Sequence, residues 1–254
     1  MVGVTTGGRS VAGIRVWRGS LSFRIGGPYN PQGRAPVKVN RVTMPAPLVL
    51  ASASPRRREL LAALGVEFTV APAAVDETAA VAGRTPHDAV LAAALAKVRT
   101  AAARHPGATV LAADTIVVAD GAVFGKPADV GEARRMLLAL RGGRHEVLTA
   151  VAARVDVDET HAVVTTEVHM RPYAHAEIDA YVRSGAPLDK AGAYGIQDEP
   201  FAPVAGLSGC WCSVVGLPLW TALRLLARCG RLAPRRPDEV FKRCAVCPLR
   251  PEDE

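Results

Sequence analysis

The spacing of apolar and polar residues predicts short buried strands separated by amphipathic helices. The first apolar run, Leu48-Val49-Leu50-Ala51, indicates a buried strand. A Ser-rich turn follows, and then a helix that begins at Pro55, because proline suits the first helical position and Ser54 can act as the N-cap. Leucines at helical spacing mark the face of this helix that is predicted to be buried.

The same patterns continue along the chain as far as residue 226. Asp129 and Glu132 resemble a capping box at the start of a helix, and Asp120-Gly121 is a strong hairpin signal. The predicted strands cover residues 48–51, 68–71, 109–118, 146–155, 162–170 and 210–215, and the predicted helices cover residues 55–64, 85–104, 129–141, 176–183 and 218–226. Because helices and strands are interleaved, we predict an α/β fold.

Charge divides the chain into a basic extension and a neutral body. Residues 1–43 contain seven Lys or Arg and no Asp or Glu, whereas the residues from Met44 onward contain 24 basic and 24 acidic side chains. We therefore predict a basic extension over residues 1–43, a folded domain over 44–230, and an Arg/Pro-rich tail with a CxxC pair over 231–254. The composition of the tail is typical of a solvent-exposed appendage to the folded domain. The neutral body gives no electrostatic reason to expect a nucleic-acid partner.

Three interpretations of residues 1–43 compete. The segment is sequence upstream of a true start at Met44, an organelle transit peptide, or a nucleic-acid-binding arm. We favour the first, because the segment lacks a helical period and Met44 stands just before the first strand. The chain has no apolar run of the ~18 residues that a membrane span needs, so no membrane partner is expected.

The five cysteines form an odd set in a chain without a secretory signal, which indicates a reducing compartment and hence the cytoplasm. Cys244-Ala-Val-Cys247 has the spacing of half a zinc site. Cys210 and Cys212 fall in a predicted strand, and only Cys229 lies near the CxxC pair in sequence. Without a second ligand pair we predict no metal site in the tail, and we expect Cys244 and Cys247 to be dispensable for activity.

Three consecutive arginines, Arg56 to Arg58, crowd the first turn of the first helix. Cations are unfavourable at this positive end of the helix dipole, by roughly 1–3 kcal/mol for the cluster. A bound polyanion would relieve this cost, since helix N-termini and arginine side chains both bind phosphate. The alternative is a solvated basic turn with partial relief from Glu59.

Several motifs taken together resemble the Maf family of nucleoside triphosphate pyrophosphatases, from about residue 48 to residue 226. Because the motifs are separate and occur in the family's order, the match is far more specific than any one of them. The motifs are Ser52-Ala53-Ser54-Pro55-Arg56-Arg57, Val75-Asp76-Glu77, Lys97, Ala113-Asp114-Thr115, Gly125-Lys126-Pro127, residues 189–197 and Val215-Gly216-Leu217-Pro218.

The resemblance implies a two-lobed α/β fold with a central mixed sheet and a cleft. It also implies hydrolysis of a nucleotide between its α and β phosphates, with a divalent metal, Mg²⁺ or Mn²⁺, held by Glu77 and Asp114. Asp114 matches the proton acceptor, and the other active-site positions are matched by Ser52, Arg57, Glu77, Lys97 and Lys126. Arg56, Thr115 and Gln197 match the positions that identify the dTTP/UTP-preferring branch.

Two departures from the family pattern concern the expected base pocket. Asp198 stands where the family has glycine, and Cys210-Trp211-Cys212 replaces a more polar stretch. The alternatives are therefore a pyrophosphatase for 7-methyl-GTP or for a broad range of nucleotides, or a nucleotide-binding regulator of cell division. The sequence leaves open whether the protein forms a homodimer.

Overall fold

The computed structural model describes residues 46–75 and 83–252, and within them a seven-stranded mixed sheet organises the fold. Its strand order is β2-β1-β3-β5-β6-β7, and β4 pairs with β3. Strands β2, β1 and β3 are parallel, whereas the remaining neighbours are antiparallel. The strands are β1 (Leu48–Leu50), β2 (Thr69–Val70), β3 (Thr109–Ala119), β4 (Ala122–Phe124), β5 (Arg144–Val155), β6 (Asp158–Met170) and β7 (Val204–Ser208). The predicted α/β class is confirmed.

Eight α-helices lie within the described residues. They are α1 (Pro55–Ala63), α2 (Pro86–Arg104), α3 (Val130–Leu140), α4 (His175–Arg183), α5 (Trp211–Val215), α6 (Leu219–Arg228), α7 (Pro237–Val240) and α8 (Lys242–Ala245). Two 3₁₀ turns, Ala186–Asp189 and Ala191–Ala193, connect α4 to the rest of the chain. None of these helices is long and apolar enough to cross a membrane.

The capping signals of the sequence explain where several helices begin. The Ser54 hydroxyl accepts a hydrogen bond from the backbone N–H of Arg57, and Thr85 caps α2 in the same way. Asp129 caps α3 through the N–H of Glu132, and the Glu132 carboxylate accepts from the N–H of Ala128. Each such cap contributes about 1 kcal/mol, because it satisfies a backbone donor that the helix leaves free.

The sheet is covered on both faces, and alternate residues of β3 enter different apolar cores. Val110, Ala112 and Ile116 pack with α2 on one face. Leu111 and Ala113 pack with α1 and α6 on the other. A third cluster joins α3 and α4 to one end of the sheet. Because successive strand residues point to opposite faces, this division holds along the whole strand.

The hairpin prediction is confirmed, because Ala119 pairs with Ala122 across the turn. The strand prediction for residues 210–215 is wrong. Cys210 is the N-cap of the short helix α5, which ends at Gly216 with φ +123°. The apolar run there is buried on one side of the sheet, and a short buried run alone does not distinguish a strand from a helix.

The C-terminal tail is not an appendage, contrary to the expectation from its composition. Cys244 and Cys247 are 2% and 7% exposed and belong to the core formed by α1 and α6. The indole N–H of Trp220 donates to the carbonyl of Cys244 over 3.0 Å. Ala233, Phe241 and Leu249 also pack against this core, whereas Leu232 and Val246 stay exposed. Residues 1–43 lie outside the described residues.

Candidate active site

A cleft of about 630 Å³ opens beside β3, and most of the predicted site residues line it. Its walls come from the N-terminus of α1, the middle of α2 and β3, the segment after β4, and the loop that follows α4. The predicted residues on its walls are Arg56, Arg57, Lys97, Asp114, Thr115, Lys126 and Gln197. Segments that are far apart in sequence thus contribute to one cleft, as expected if their motifs form a single site.

Asp114 and Lys97 form the most buried ion pair in the cleft. The Lys97 Nζ atom lies 2.6 Å from Asp114 Oδ1, and the two side chains are only 11% and 13% exposed. Lys97 is on the face of α2 that packs on the sheet, so it reaches Asp114 from the helix side. The β3–β4 pairing ends at Val117 and Phe124, short of Asp114 and Lys126, and Lys97 is the ion-pair partner of Asp114.

Arg57 is held in place by hydrogen bonds from three segments. Its guanidinium donates to the carbonyl of Gly216 at 2.8 Å, to Thr115 Oγ1 at 3.0 Å and to Ser52 Oγ at 3.3 Å. Ser52 is 6% exposed and does not line the cleft. Its hydroxyl supports Arg57 and also accepts from the N–H of Ser54. Ser52 therefore positions the arginine from behind.

Arg56 pairs across the cleft with Asp189, at the end of the first 3₁₀ turn. The Arg56 Nη1 atom lies 2.8 Å from Asp189 Oδ2, and Lys190 Nζ lies 2.9 Å from Asp189 Oδ1. Burial acts to raise the pKa of Asp189, but the hydrogen bonds from Lys190 and Arg56 hold that pKa below its ordinary value. In the absence of a ligand, Asp189 thus neutralises part of the positive charge of the cluster from Arg56 to Arg58.

Thr115 and Asp114 are neighbours on β3 and point to opposite faces of the sheet. Thr115 Oγ1 lies 3.0 Å from Thr149 Oγ1 on β5, and Thr149 donates to the carbonyl of Ser213 at 2.8 Å. Asp114 instead faces Lys97 on α2. One strand therefore presents a carboxylate from one face and a hydroxyl from the other to the same cleft.

Gln197 and Lys126 are exposed at the cleft, where a ligand could reach both side chains. The residue after Gln197 is tied down. Asp198 accepts from the Tyr181 hydroxyl, and its Oδ2 atom lies 3.3 Å from Lys190 Nζ. A Cβ atom on Gly195 would come within 2.6 Å of Asp198 Oδ1, so only glycine fits at 195 beside this carboxylate. Asp198 thus fixes the loop that carries Gln197.

Asp189 and Lys190 are the site residues that sequence reasoning missed. Both residues belong to the motif at residues 189–197, but neither side chain was predicted to have a role. The signal that could have found them is the alternation of charge in Asp189-Lys190 beside an arginine cluster with no local acidic partner. Glu77 was predicted as a second carboxylate of the site, and it lies outside the described residues.

Comparison with known proteins gives consistent matches over the described body of the chain. Residues 47–229 match the family described as Maf-like protein. A dTTP/UTP pyrophosphatase of Thermomicrobium roseum is 49% identical over 214 residues, which cover 81% of this chain and 95% of that protein. A dTTP/UTP pyrophosphatase of Anaeromyxobacter dehalogenans is 52% identical over 187 residues, covering 72% and 94%. A protein of the same name from Symbiobacterium thermophilum is 49% identical over 183 residues.

Proposed function

This chain belongs to the family of Maf-like proteins, and we propose that it is a nucleoside triphosphate pyrophosphatase that hydrolyses dTTP and UTP. The bond between the α and β phosphates breaks, and the products are the nucleoside monophosphate and pyrophosphate. One observation carries the proposal. A carboxylate and several cations converge in one cleft of a chain about half identical to proteins named dTTP/UTP pyrophosphatases.

The cations of the cleft match the charge of a triphosphate. A triphosphate brings about four negative charges, and phosphate oxygens are bound by arginine forks and by lysine. Arg57, Lys97 and Lys126 stand on three different walls of the cleft. The bonds from Arg57 to Gly216, Thr115 and Ser52 fix its guanidinium before substrate arrives. A preorganised cation of this kind stabilises negative charge as it develops in the transition state.

Asp114 is the candidate general base. Its carboxylate can accept the proton of the attacking water, while Lys97 Nζ at 2.6 Å holds Oδ1 and orients the group. Burial of the pair excludes bulk water, so the orientation is maintained by the protein rather than by solvent. Lys97 is therefore assigned a double role, in positioning Asp114 and in binding phosphate.

The donor set fits a divalent cation with oxygen ligands, Mg²⁺ or Mn²⁺. Asp114 offers carboxylate oxygen inside the cleft, and Glu77, outside the described residues, is the proposed second ligand. When bound, the cation supplies positive charge for the phosphate oxygens and makes nearby water more acidic. The protein's own residues do the rest, because they bind the phosphates, orient the base and hold the nucleoside.

Arg56, Thr115 and Gln197 are the proposed determinants of base preference. All three line the same cleft from separate segments. The amide of Gln197 offers an acceptor and two donors, which can pair with the carbonyl and N–H edge of thymine or uracil. A pocket built for that edge rejects a base that leaves its groups unpaired.

The free thiols of the chain and its nucleotide substrates favour a cytoplasmic location.

Product analysis tests this proposal directly. The purified full chain is incubated with dTTP, UTP, 7-methyl-GTP and the other common triphosphates, and the products are separated by ion-exchange chromatography. We expect dTMP with pyrophosphate from dTTP, and the corresponding pair from UTP. Release of dTDP with inorganic phosphate would contradict the proposed bond cleavage. Preferential cleavage of 7-methyl-GTP would contradict the proposed substrates, and binding without turnover would favour the regulator alternative.

A further inference from the structure

Four of the five cysteines are far apart in sequence but lie close together in the buried core. Cys210 and Cys212 stand at the start of α5, and Cys244 and Cys247 stand at and just after the end of α8. Their exposed fractions are 2%, 1%, 2% and 7%. The Cys212 and Cys244 sulfurs lie 3.4 Å apart. The fold has thus supplied the second cysteine pair that the CxxC sequence lacked.

The two pairs also contact each other through Cys210 and Cys247. Burial and then the contact with Cys247 together raise the pKa of the Cys210 thiol to about 12. Both Cys244 and Cys247 act on Cys212 as well, so all four thiols share one environment.

The backbone around each pair is fixed by hydrogen bonds that do not involve sulfur. The N–H of Cys210 donates to Thr166 Oγ1 at 3.0 Å. The Trp220 indole holds the carbonyl of Cys244, and the N–H of Cys247 turns back to the same carbonyl at 3.4 Å. The backbone that carries the sulfurs is therefore fixed by the surrounding core.

The spacing of the sulfurs also favours a metal. The 3.4 Å separation between Cys212 and Cys244 is far longer than the ~2.05 Å of a disulfide. It is close to the ~3.8 Å edge of a tetrahedron with zinc–sulfur bonds of ~2.3 Å. Among the described residues, no group of three or more His, Cys, Asp or Glu side chains is arranged, as it stands, to hold a metal ion. The sulfurs must therefore close around the ion as their protons leave.

We propose that Cys210, Cys212, Cys244 and Cys247 form a structural zinc site that fastens the C-terminal tail to the core. Zn²⁺ takes four thiolates in a closed tetrahedron, and the four thiol protons are released to solvent on binding. This site is separate from the proposed catalytic cleft, none of whose lining residues is one of these cysteines. It also lies partly outside the matched family region, which ends at residue 229.

The surroundings of the cysteines carry charges of both signs. Zinc with four thiolates carries a net charge of −2, which needs nearby cations or donors. The Arg243 guanidinium, next to Cys244, stacks 5.6 Å from the centroid of the ring of Trp211, which lies between Cys210 and Cys212 in sequence. Asp238 opposes negative charge on Cys244, but Arg250 pairs with Asp238 at 3.1 Å and also donates to the carbonyl of Ala245.

The deciding experiment measures zinc in the full chain. The protein is purified without chelator, and zinc is quantified by mass spectrometry in the parent, in C210S/C212S, in C244S/C247S and in C229S. Cys229 is half-buried and outside the cluster, so C229S is the matched control. We expect about one zinc per chain in the parent and in C229S, and less than about a tenth of that in both double variants.

A second measurement covers the case in which the double variants do not fold. The parent is stripped of zinc and refilled with Co²⁺, whose thiolate complexes give intense charge-transfer absorption and tetrahedral d–d bands. These bands in the parent and in C229S support the site. Zinc-free parent protein with five titratable thiols would overturn the proposal in favour of a dry thiol cluster. Zinc-free protein with fewer thiols would overturn it in favour of disulfides. Pyrophosphatase activity, assayed separately, leaves these outcomes distinct from failure of the proposed function.

Discussion

Lys97 and Asp114 lie 17 residues apart in sequence, yet Lys97 Nζ and Asp114 Oδ1 are 2.6 Å apart inside the cleft. The pair joins α2 to β3 where both are almost fully buried by apolar residues. Taking two charges out of water is costly, and their attraction repays that cost only with good geometry. A functional role therefore explains this buried ion pair better than a contribution to folding stability does.

Asp114→Asn is expected to reduce turnover of dTTP by about 10²–10⁴-fold, because the amide cannot accept the proton of the attacking water. The amide has the same shape, so the fold should persist, although Lys97 loses its ionic partner. The measurement is kcat with dTTP, together with circular dichroism and thermal unfolding. Asp179→Asn, in a more exposed ion pair with Arg134, serves as the control. Turnover within a few-fold of the parent would remove Asp114 from the chemistry.

Arg57→Lys is expected to lower kcat/KM for dTTP at least about tenfold while keeping the positive charge. Lysine cannot bond to Gly216, Thr115 and Ser52 at the same time, so the cation is no longer held in one position. Each lost hydrogen bond also costs about 1 kcal/mol of unfolding free energy. Arg58→Lys, on the exposed side of α1, is the matched control. Equal kinetics in both variants would show that only charge matters at position 57.

Gln197→Glu is expected to weaken cleavage of dTTP and UTP selectively, because the carboxylate lacks the amide donors. The measurement is the ratio of kcat/KM for dTTP to that for 7-methyl-GTP, in the parent and in the variant. The parent should prefer dTTP, and the variant should lose most of that preference. If the parent prefers 7-methyl-GTP, Asp198 or the segment from Cys210 to Cys212 sets the specificity instead.

His145 predicts how stability depends on pH. Burial, with the nearby His169, lowers its pKa from 6.5 to about 4, and its Nε2 atom lies 2.7 Å from the Tyr194 hydroxyl. In the unfolded chain the imidazole of residue 145 is therefore protonated below about pH 6.5, whereas in the folded chain it is protonated only below about pH 4. Stability falls as pH drops through this window, by about 3 kcal/mol at 1.36 kcal/mol per pKa unit.

His145→Gln removes this titration and keeps a polar partner for Tyr194. Chemical unfolding between pH 4 and 7.5 should show a shallower loss of stability for the variant than for the parent. His161→Gln, on the exposed part of β6, should behave like the parent. Parallel curves for the parent and His145→Gln would mean that other groups cause the acid sensitivity.

Local patterns predicted most of the fold because its elements obey local rules. The caps at Ser54 and Asp129, the start of the helix at residues 85–86 and the hairpin at Asp120-Gly121 formed where the sequence indicated. Six of the seven motifs contribute a residue to the cleft, and the seventh, Val75-Asp76-Glu77, lies mostly outside the described residues. These features depend on neighbours within a few residues or on an ordered set of motifs.

The misses involve contacts between distant segments. Nothing local shows that Asp189 meets Arg56, 133 residues away, or that Cys244 meets Cys212. The helix that follows Cys210 was mistaken for a strand because its apolar residues are buried against the sheet. Burial of a short apolar run does not depend on whether the run is helical or extended. The composition of the tail indicated solvent exposure, whereas its cysteines had partners that only the tertiary structure reveals.

The opposite orientation of Asp114 and Thr115 has an evolutionary consequence. Asp114 shares its face of the sheet with Lys97, whereas Thr115 shares the other with Arg57 and Thr149. Because Arg57 donates to Thr115, a substitution at Thr115 would disturb the proposed phosphate-binding arginine as well as the proposed base pocket. A one-residue insertion in β3 would exchange the two side chains and destroy both proposed roles. The register of this strand is therefore constrained from both faces of the sheet at once.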